Sequence, residues 1–319
     1  MSESGSFVHL HCHSHYSMLD GAGKLRDLVR RTEDLGMHAL ALTDHGNLFG
    51  AYQFQKACAG TKVKPIIGCE IYLTPVDMRD RISPGARTRY HFLLLCENVD
   101  GYRNLSRMVS KGFLEGFYYK PRIDYSLLEQ CAGGLIATSA CLQSPVAQAI
   151  LNGQMDEARR QVDRFVQIFG RGNFYIEIMD HGLDEQKRVN EGLLEIARRD
   201  NLPVIATNDC HYLSPESNDA HDVMLCIQMG KKLADPDRMR FDRNEFYLKS
   251  PEEMIQAFGH IDGAIRNTLE IAERCNCVIP TKQKLLPRYH PPDGRPAAEF
   301  LRALVDERLK KRYGDRLGP

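Results

Sequence analysis

The sequence has no net charge, because 42 lysine and arginine residues balance 42 aspartate and glutamate residues over 319 positions. A neutral chain lacks the general positive field with which proteins that hold duplex DNA neutralise many phosphates. Any contact with nucleic acid is therefore expected to be local. Short basic clusters occur at 30–31, 231–232 and 310–312, and clusters of this kind are usually solvated helix faces.

Cysteine pairs with CxxC spacing are also missing. None of the ten cysteines belongs to a CxxC pair and no signal-peptide pattern is present, which argues against a zinc ribbon and against a disulfide scaffold. We expect a reducing, cytoplasmic setting. Cys275 and Cys277 form a lone CxC, and we expect both to be structural. No apolar run reaches the roughly 18 residues of a membrane helix, so we expect a soluble protein without membrane contacts.

Short apolar runs alternate with amphipathic segments over the first two-thirds of the chain, which is typical of a parallel sheet or barrel. The strand candidates are Phe7–His11, Ala39–Thr43, Pro65–Leu73, His91–Cys96, Gly134–Ser139, Phe174–Met179 and Pro203–Thr207. Seven such units favour an α/β fold with a closed barrel.

The pattern changes after about residue 240. Ser250-Pro251-Glu252-Glu253 predicts a helix N-terminus, with serine as the cap and proline in the first turn. Further helices are predicted at 261–275 and 297–312. We therefore predict a barrel domain over residues 1–240 and a small helical extension over residues 241–319.

The run His9-Leu10-His11-Cys12-His13-Ser14-His15 carries four imidazoles at alternate positions. In a strand, all four would lie on one face. Because buried polar rings are costly, we expect only the end of the run to emerge at the barrel mouth, where imidazoles can reach a metal or water. A lone histidine is more often a core residue, but four alternating histidines favour a metal site.

Polar side chains also occur at three other strands. Asp44 and His45 follow the second strand candidate, and Asp209 and His211 follow the seventh. Glu70 is an acid inside an apolar run, where it needs a metal or an arginine as partner. The carboxyl ends of barrel strands meet at one mouth, so we expect these side chains to lie close together.

Two further residues do not follow this rule. His91 begins its apolar run instead of ending it, and the rule therefore does not place it at the mouth. Cys141 follows an apolar strand, where a lone cysteine is usually a small core residue. Of the remaining histidines, we expect His181 to line the mouth and His9 and His15 to support the ligands.

The motifs together resemble the PHP (polymerase and histidinol phosphatase) domain, in the version found at the start of bacterial DNA polymerase III alpha subunits, the C-family replicative polymerases. The motifs are His11-Cys12-His13, Met18-Leu19-Asp20-Gly21, Asp44-His45-Gly46-Asn47, Gly68-Cys69-Glu70, Tyr90-His91-Phe92, Ser139-Ala140-Cys141 and Asn208-Asp209-Cys210-His211. The similarity includes Phe117–Arg122 and Phe246–Ser250 and covers nearly the whole chain. It implies the PHP fold, a distorted (β/α)7 TIM-like barrel.

The resemblance also implies a cluster of two to three divalent metals, zinc first, with manganese or magnesium as alternatives. The implied ligands are His11, His13, Asp20, His45, Glu70, His91, Cys141, Asp209 and His211. In the family, the first metal is held by His11, His13, Glu70 and Asp209, which we take as the catalytic residues. Glu70 bridges to a second metal held with His91 and Cys141, and Asp20, His45 and His211 hold the third.

The resemblance implies a metal-dependent phosphoesterase of the 3′–5′ exonuclease (proofreading) type, acting on DNA 3′ ends in replication. A second hypothesis is a non-catalytic, metal-stabilised module that docks a separate proofreading exonuclease subunit, and a third is a stand-alone phosphatase for a small phosphomonoester. The chain ends at 315–319 without a closing strand, which we interpret as the end of a piece of a longer chain. The remaining polymerase domains, including the nucleotidyl-transfer carboxylates, would then lie beyond it.

Overall fold

The computed structural model describes residues 7–18, 20–241, 243–281 and 286–316. The chain divides into two compact units, the first ending at Ile279 and the second beginning at Pro280. From the sequence, residues 315–319 are interpreted as the end of a piece of a longer chain, and the last three of them, Leu317 to Pro319, lie outside the described part. Within that part, no helix is both long enough and apolar enough to span a membrane.

The first unit contains one curled sheet of eight strands. They are β1 (Ala39–Leu42), β2 (Lys64–Leu73), β3 (Tyr90–Cys96), β4 (Phe117–Tyr118), β5 (Lys120–Ile123), β6 (Leu135–Thr138), β7 (Phe174–Ile178) and β8 (Val204–Ala206). The pairing order is β4-β5-β2-β3-β6-β7-β8, and β1 also pairs with β2. The N-terminal segment closes the ring, because His9 bridges to Leu40 and Cys12 bridges to Cys210. The fold is therefore the predicted α/β class, a distorted TIM-like barrel.

The reversed direction of β3 is one source of this distortion. Strand β3 pairs antiparallel with both β2 and β6, and its second residue, His91, lies opposite Tyr72 near the end of β2. Its N-terminal end therefore lies at the same mouth as the C-terminal ends of the parallel strands. This reversal explains the position of His91, which the rule of strand ends does not place. The short β4–β5 hairpin is likewise absent from the predicted strands.

The helices pack around the barrel in the first unit, and one helix lies in the second. They are α1 (Leu25–Asp34), α2 (Ala51–Cys58), α3 (Val99–Leu114), α4 (Tyr125–Gln130), α5 (Pro145–Leu151), α6 (Met155–Phe169), α7 (Asp184–Asp200), α8 (Asn218–Met229), α9 (Pro251–Phe258), α10 (Arg266–Arg274) and α11 (Ala297–Tyr313). Helix α9 begins at the predicted cap, where Ser250 and Glu253 form a reciprocal capping box.

Alternating side chains divide the core into two layers. In β1, Ala39 and Ala41 point into the barrel, whereas Leu40 and Leu42 pack in the layer between the sheet and its helices. Ile271 and Cys275 pack with the inner layer, so α10 covers the barrel end opposite the mouth. Helices α9 and α10 thus lie within the first compact unit. The domain boundary after residue 240 stays a prediction, because a compact unit and a family domain are different divisions of a chain.

Candidate metal centre

The nine predicted ligands converge at the barrel mouth from separate parts of the chain. His11 and His13 belong to the N-terminal segment, Asp20 to the loop before α1, His45 to the segment after β1, Glu70 to β2, His91 to β3, Cys141 to the loop after β6, and Asp209 and His211 to the segment after β8. Residues far apart in sequence therefore share one site, as expected for a barrel in which each strand end contributes a side chain.

Glu70 lies at the centre of this group and is almost fully buried. Its Oε1 lies 3.4 Å from His11 Nε2 and 3.0 Å from His91 Nδ1. Its Oε2 lies 2.5 Å from His45 Nδ1. The Cys141 Sγ is also near, at 3.4 Å from Oε1. One carboxylate therefore faces four potential ligands on two sides, the arrangement of a bridging group.

Asp209 lies at the centre of a second set of contacts. Its Oδ1 lies 3.2 Å from His11 Nε2, 3.1 Å from His13 Nε2 and 3.6 Å from His211 Nδ1. Its backbone has φ 43°, a left-handed conformation that costs a residue other than glycine about 1–3 kcal/mol. The surrounding barrel therefore holds this carboxylate in a strained position that faces the histidines.

A third set of contacts lies towards the loop before α1. Asp20 Oδ2 lies 3.2 Å from His45 Nε2. The backbone carbonyl of Asp20 bonds to the Nε2 of His221, at 2.7 Å. The ring of His13 packs against those of His45 and His211, with centroids 4.0 and 4.5 Å away, and the centroids of the latter two rings lie 5.7 Å apart. Asp20 is thus held at the edge of a group of three neighbouring imidazoles.

The buried polar atoms of this cluster fit a set of divalent cations. Six of them have no aligned hydrogen-bond partner: His11 Nε2, His13 Nε2, Asp20 Oδ1, His45 Nδ1, Glu70 Oε2 and Asp209 Oδ1. Unpaired buried polar atoms are rare and costly, and here they lie close together without the geometry of hydrogen bonds. Three subsets bring their donor atoms within 4.8 Å of one another: His13, His45 and His211; His11, His13 and Glu70; and His45, Glu70 and His91. Imidazole and carboxylate groups with one thiol are suitable zinc ligands.

The electrostatics of the cluster keep His13 and Asp209 in the forms that bind a cation, whereas His45 carries a proton that a cation would have to displace. Burial, together with the neighbouring His45 and His211 rings, lowers the pKa of His13 to about 3, so this ring is neutral. Burial alone would raise the pKa of Asp209, but the adjacent histidines outweigh it and hold that pKa well below its usual range. Burial would lower the pKa of His45, but Asp20 and Glu70 raise it to about 10.

Glu177 is the main supporting residue that sequence reasoning missed. Its Oε1 accepts hydrogen bonds from His11 Nδ1 at 2.8 Å and from Thr207 Oγ1 at 2.6 Å. The hydroxyl of Thr138 donates to the other oxygen. A proton on Nδ1 leaves the Nε2 lone pair of His11 facing Glu70 and Asp209. The signal was present, because Glu177 is an acid inside an apolar strand, as Glu70 is.

Asp44 supports the site without facing it. Its carboxylate accepts hydrogen bonds from the Ser14 backbone at 2.7 Å and from the Ser17 hydroxyl at 2.8 Å. The same Ser17 Oγ lies 3.0 Å from His13 Nδ1. Asp44 therefore fixes the turn after the N-terminal segment, and through Ser17 it orients His13.

The sequence also predicts three histidines near the cluster that are not ligands: His9, His15 and His181. His9 contacts the Lys249 carbonyl at 2.9 Å and, at 3.4 Å, the Sγ of Cys210, which lies between Asp209 and His211 in the sequence. His15 lies near the Gly23 carbonyl at 3.3 Å. That His9 and His15 support the ligands stays a prediction. His181 lines the mouth as predicted.

A cavity of about 250 Å³ opens over the cluster. Asp20, His45, His91, Cys141, Asp209 and His211 lie on its floor, and its walls include Met179, His181, Arg240, Phe241 and Phe246. The edge of the Phe241 ring faces His211, at 5.3 Å between centroids. Residues 239–241 and Phe246, which line this cavity, are the second feature that sequence reasoning missed, because they have no periodic pattern. A larger cavity, about 710 Å³, lies between α1, α2 and α8, and none of the nine residues lines it.

Comparison with known proteins gives matches over nearly the whole chain. The PHP domain family matches residues 9–181. The DNA polymerase III subunit alpha of Treponema pallidum (strain Nichols) is 47% identical over 310 residues, which cover 97% of this chain and 26% of that protein. The protein of the same name from Thermus aquaticus is 44% identical, over 99% of this chain and 27% of its own length.

The chain thus spans about a quarter of the length of the curated relatives that it matches. Among solved structures, a crystal structure described as that of a candidate metal-dependent phosphoesterase from Bifidobacterium adolescentis aligns with a TM-score of 0.42 and 15% identity. That alignment covers 80% of this chain and 96% of the other.

Proposed function

We propose, on the premise that this chain belongs to the PHP domain family, that its buried cluster binds two to three divalent metals and hydrolyses phosphoester bonds. The substrate we propose is the 3′ end of a DNA strand, and zinc is the proposed metal. The similarity to DNA polymerase III alpha subunits over nearly the whole chain supports a role within a replicative polymerase.

The observation that supports the proposal is the open cavity above the nine predicted ligands. Six of the nine residues border that cavity. A metal site that only stabilises a fold is usually closed by its protein ligands, whereas a hydrolytic site keeps room for water and substrate. Open space over the cluster therefore favours catalysis over a purely structural role.

Each part of the cluster has a role that follows from its contacts. Glu70 would bridge two ions, because its two oxygens face different predicted ligands. Asp209, His11 and His13 would hold one of them, and the hydrogen bond to Glu177 favours the His11 tautomer that presents Nε2. Divalent ions at such a site supply Lewis acidity towards a phosphoryl group and lower the pKa of water.

The exposed side of the cavity is suited to a nucleotide end. Apolar side chains such as Met179, Phe241 and Phe246 form its wall, and Arg240 contributes a positive charge. An apolar wall fits a base or sugar, and an arginine fits a phosphate. Because the whole chain is neutral, DNA binding is expected to be weak and sensitive to salt.

The test pairs metal analysis with cleavage of a 5′-labelled single strand and of a small phosphomonoester. The protein is purified without chelator and compared with Asp209→Asn, which weakens a ligand while nearly preserving its shape. Asp262→Asn is the matched control, since that carboxylate is 98% exposed. We expect metal-dependent shortening from the 3′ end, lost in Asp209→Asn and unchanged in Asp262→Asn.

Three results would contradict the proposal. Equal degradation by chelated, Asp209→Asn and unmodified protein would identify a contaminant. Efficient hydrolysis of the phosphomonoester with intact DNA ends would favour a small-molecule phosphatase. Cleavage of neither substrate by metal-loaded protein would leave a metal-stabilised module, with docking of a separate proofreading subunit as its remaining role.

A further inference from the structure

An exposed row of aromatic side chains lies beside the mouth and takes no part in the cluster. The row consists of Phe49, Phe113, Phe117 and Tyr119, with exposed fractions of 57%, 37%, 47% and 62%. Phe113 lies in the middle, with its ring centroid 5.8 Å from that of Phe49 and 6.3 Å from that of Phe117. Large apolar side chains that are exposed together usually mark a binding surface. We call these four residues the aromatic row.

The aromatic row is built onto the rim of the metal centre. Gly46 follows His45, and a Cβ at Gly46 would lie 2.8 Å from the Tyr72 ring and 3.0 Å from Pro121. The β4–β5 hairpin therefore packs directly on the loop that carries His45. The Tyr72 ring lies 6.2 Å from the His45 ring, and the Lys120 ammonium lies 5.5 Å from the Tyr72 ring centroid. A continuous path of contacts thus leads from the cluster to the hairpin.

Arg122 holds the hairpin in place. Its guanidinium is fully buried and donates to the carbonyls of Met78 at 2.8 Å, Asp80 at 3.0 Å and Gly116 at 3.2 Å. It also donates to the Ala86 carbonyl. These bonds join the end of the hairpin to the loop over residues 77–89. A binding surface on this hairpin is therefore already ordered, which lowers the entropy cost of binding.

The tip of the hairpin is a tyrosine where glycine would fit more easily. Tyr119 has φ 63°, a left-handed conformation that is unusual for a bulky residue. Its ring is nevertheless directed to solvent, with the Arg87 guanidinium 5.7 Å from the ring centroid. An exposed ring that is held by a strained turn and lies close to a cation is suited to stacking on a flat, negatively charged ligand.

The charge around the aromatic row indicates the class of that ligand. Residues 77–89 contain four arginines and two aspartates, in a chain that is neutral overall. Arg79 pairs with Glu115, so the other three arginines, Arg81, Arg87 and Arg89, exceed the two aspartates by one positive charge, and Lys120 adds a second. Cations interleaved with exposed aromatic rings bind single-stranded nucleic acid, because phosphates pair with the cations while bases stack on the rings.

We propose that the aromatic row, with Lys120 and Arg87, binds the unpaired nucleic-acid strand whose 3′ end enters the metal centre. This inference rests on the proposed function and extends it to the nucleotides upstream of the end. Stacking of this kind makes no distinction among base sequences. Because none of the four aromatic residues lines the cavity, a terminal nucleotide alone is expected to bind without contacting the row.

The test measures the dissociation constant of fluorescein-labelled oligothymidylate by anisotropy. It uses the metal-loaded Asp209→Asn chain, in which the strand is not consumed. The variants Tyr119→Gly, which fits the left-handed turn, and Phe117→Ala are each expected to weaken binding roughly 5- to 150-fold. Tyr313→Ala is the matched control, because this exposed tyrosine also lies beside an arginine, with Arg312 at 5.8 Å. Thymidine monophosphate should bind equally to all variants.

The outcomes separate this inference from the proposed function. Weaker oligothymidylate binding without phosphoester cleavage by the parent chain supports the aromatic row and contradicts the hydrolytic function. Cleavage of DNA by the parent chain with unchanged binding in both aromatic variants overturns the inference alone. Failure of the parent to bind oligothymidylate overturns it as well. Loss of self-association in the aromatic variants, with unchanged oligothymidylate binding, would instead assign the row to contacts between copies.

Discussion

Replacing Glu177 by glutamine tests whether a residue that is not a ligand controls the metal centre. Glu177 lies between three donors, His11 Nδ1, Thr207 and Thr138, and its side chain is fully buried. Glutamine keeps the shape but removes the charge and offers an N–H group where an acceptor is needed. His11 then loses the charged acceptor that fixes its tautomer and keeps at most a neutral amide oxygen in its place.

The substitution is expected to lower both the metal affinity and the stability of the fold. Loss of a partner that orients a metal-binding histidine lowers metal affinity or activity about 10- to 100-fold. A buried donor left without an acceptor destabilises the fold by about 1–3 kcal/mol. We therefore expect Glu177→Gln to fold, to melt a few degrees lower and to release metal at lower chelator concentration. It should retain the same number of ions when metal is saturating.

The assay is competition with a chromophoric chelator, followed by thermal unfolding of metal-free protein. Glu185→Gln is the control, because this glutamate is exposed on α7. Unchanged metal affinity in Glu177→Gln, together with an unchanged melting temperature, would refute the reasoning. Loss of stability alone would show that Glu177 serves the core and not the tautomer of His11.

Three other predictions follow from the same structure. Asp20→Asn or His45→Ala should lose one metal ion by elemental analysis and keep the fold, because the other ligands remain, whereas loss of all ions together would contradict the proposed grouping. Asp20 and Glu70 raise the pKa of His45 to about 10, so this ring keeps its proton in metal-free protein at neutral pH. Metal uptake must displace this proton. Calorimetry in buffers of different ionisation enthalpy should therefore detect proton release, and the metal affinity should rise between roughly pH 6 and 9. A metal affinity that does not change with pH would contradict this. Gly101→Ala should destabilise the protein by about 1–3 kcal/mol or more in denaturant unfolding, because the new Cβ would lie 1.8 Å from the Gly134 carbonyl oxygen, whereas Gly172→Ala, which meets no atom within 4 Å, should have little effect.

Much of the barrel could be predicted from sequence, because each strand is a short apolar run with polar residues at its end. The direction of β3 could not, since the same apolar run fits a parallel or an antiparallel strand and only its pairing decides. The β4–β5 hairpin escaped prediction because its strands have only two and four residues, too few to show an alternating pattern. The cavity wall at Phe241 was missed because a loop without periodicity gives no signal of what it covers.

The two acids within apolar strands show why a ligand cannot be identified from the strand alone. Glu70 and Glu177 have the same local pattern, and both are buried in the barrel. The oxygens of Glu177 accept hydrogen bonds from two threonines and a histidine, so its charge is already compensated. Oε2 of Glu70 has no aligned donor, although an imidazole nitrogen lies 2.5 Å away. The difference arises from the neighbouring strands, which present threonine hydroxyls to Glu177 but imidazoles to Glu70. A hydroxyl donates a hydrogen bond to a carboxylate, whereas each neutral imidazole also carries one nitrogen lone pair, and several such lone pairs crowded around carboxylates are suited to a cation.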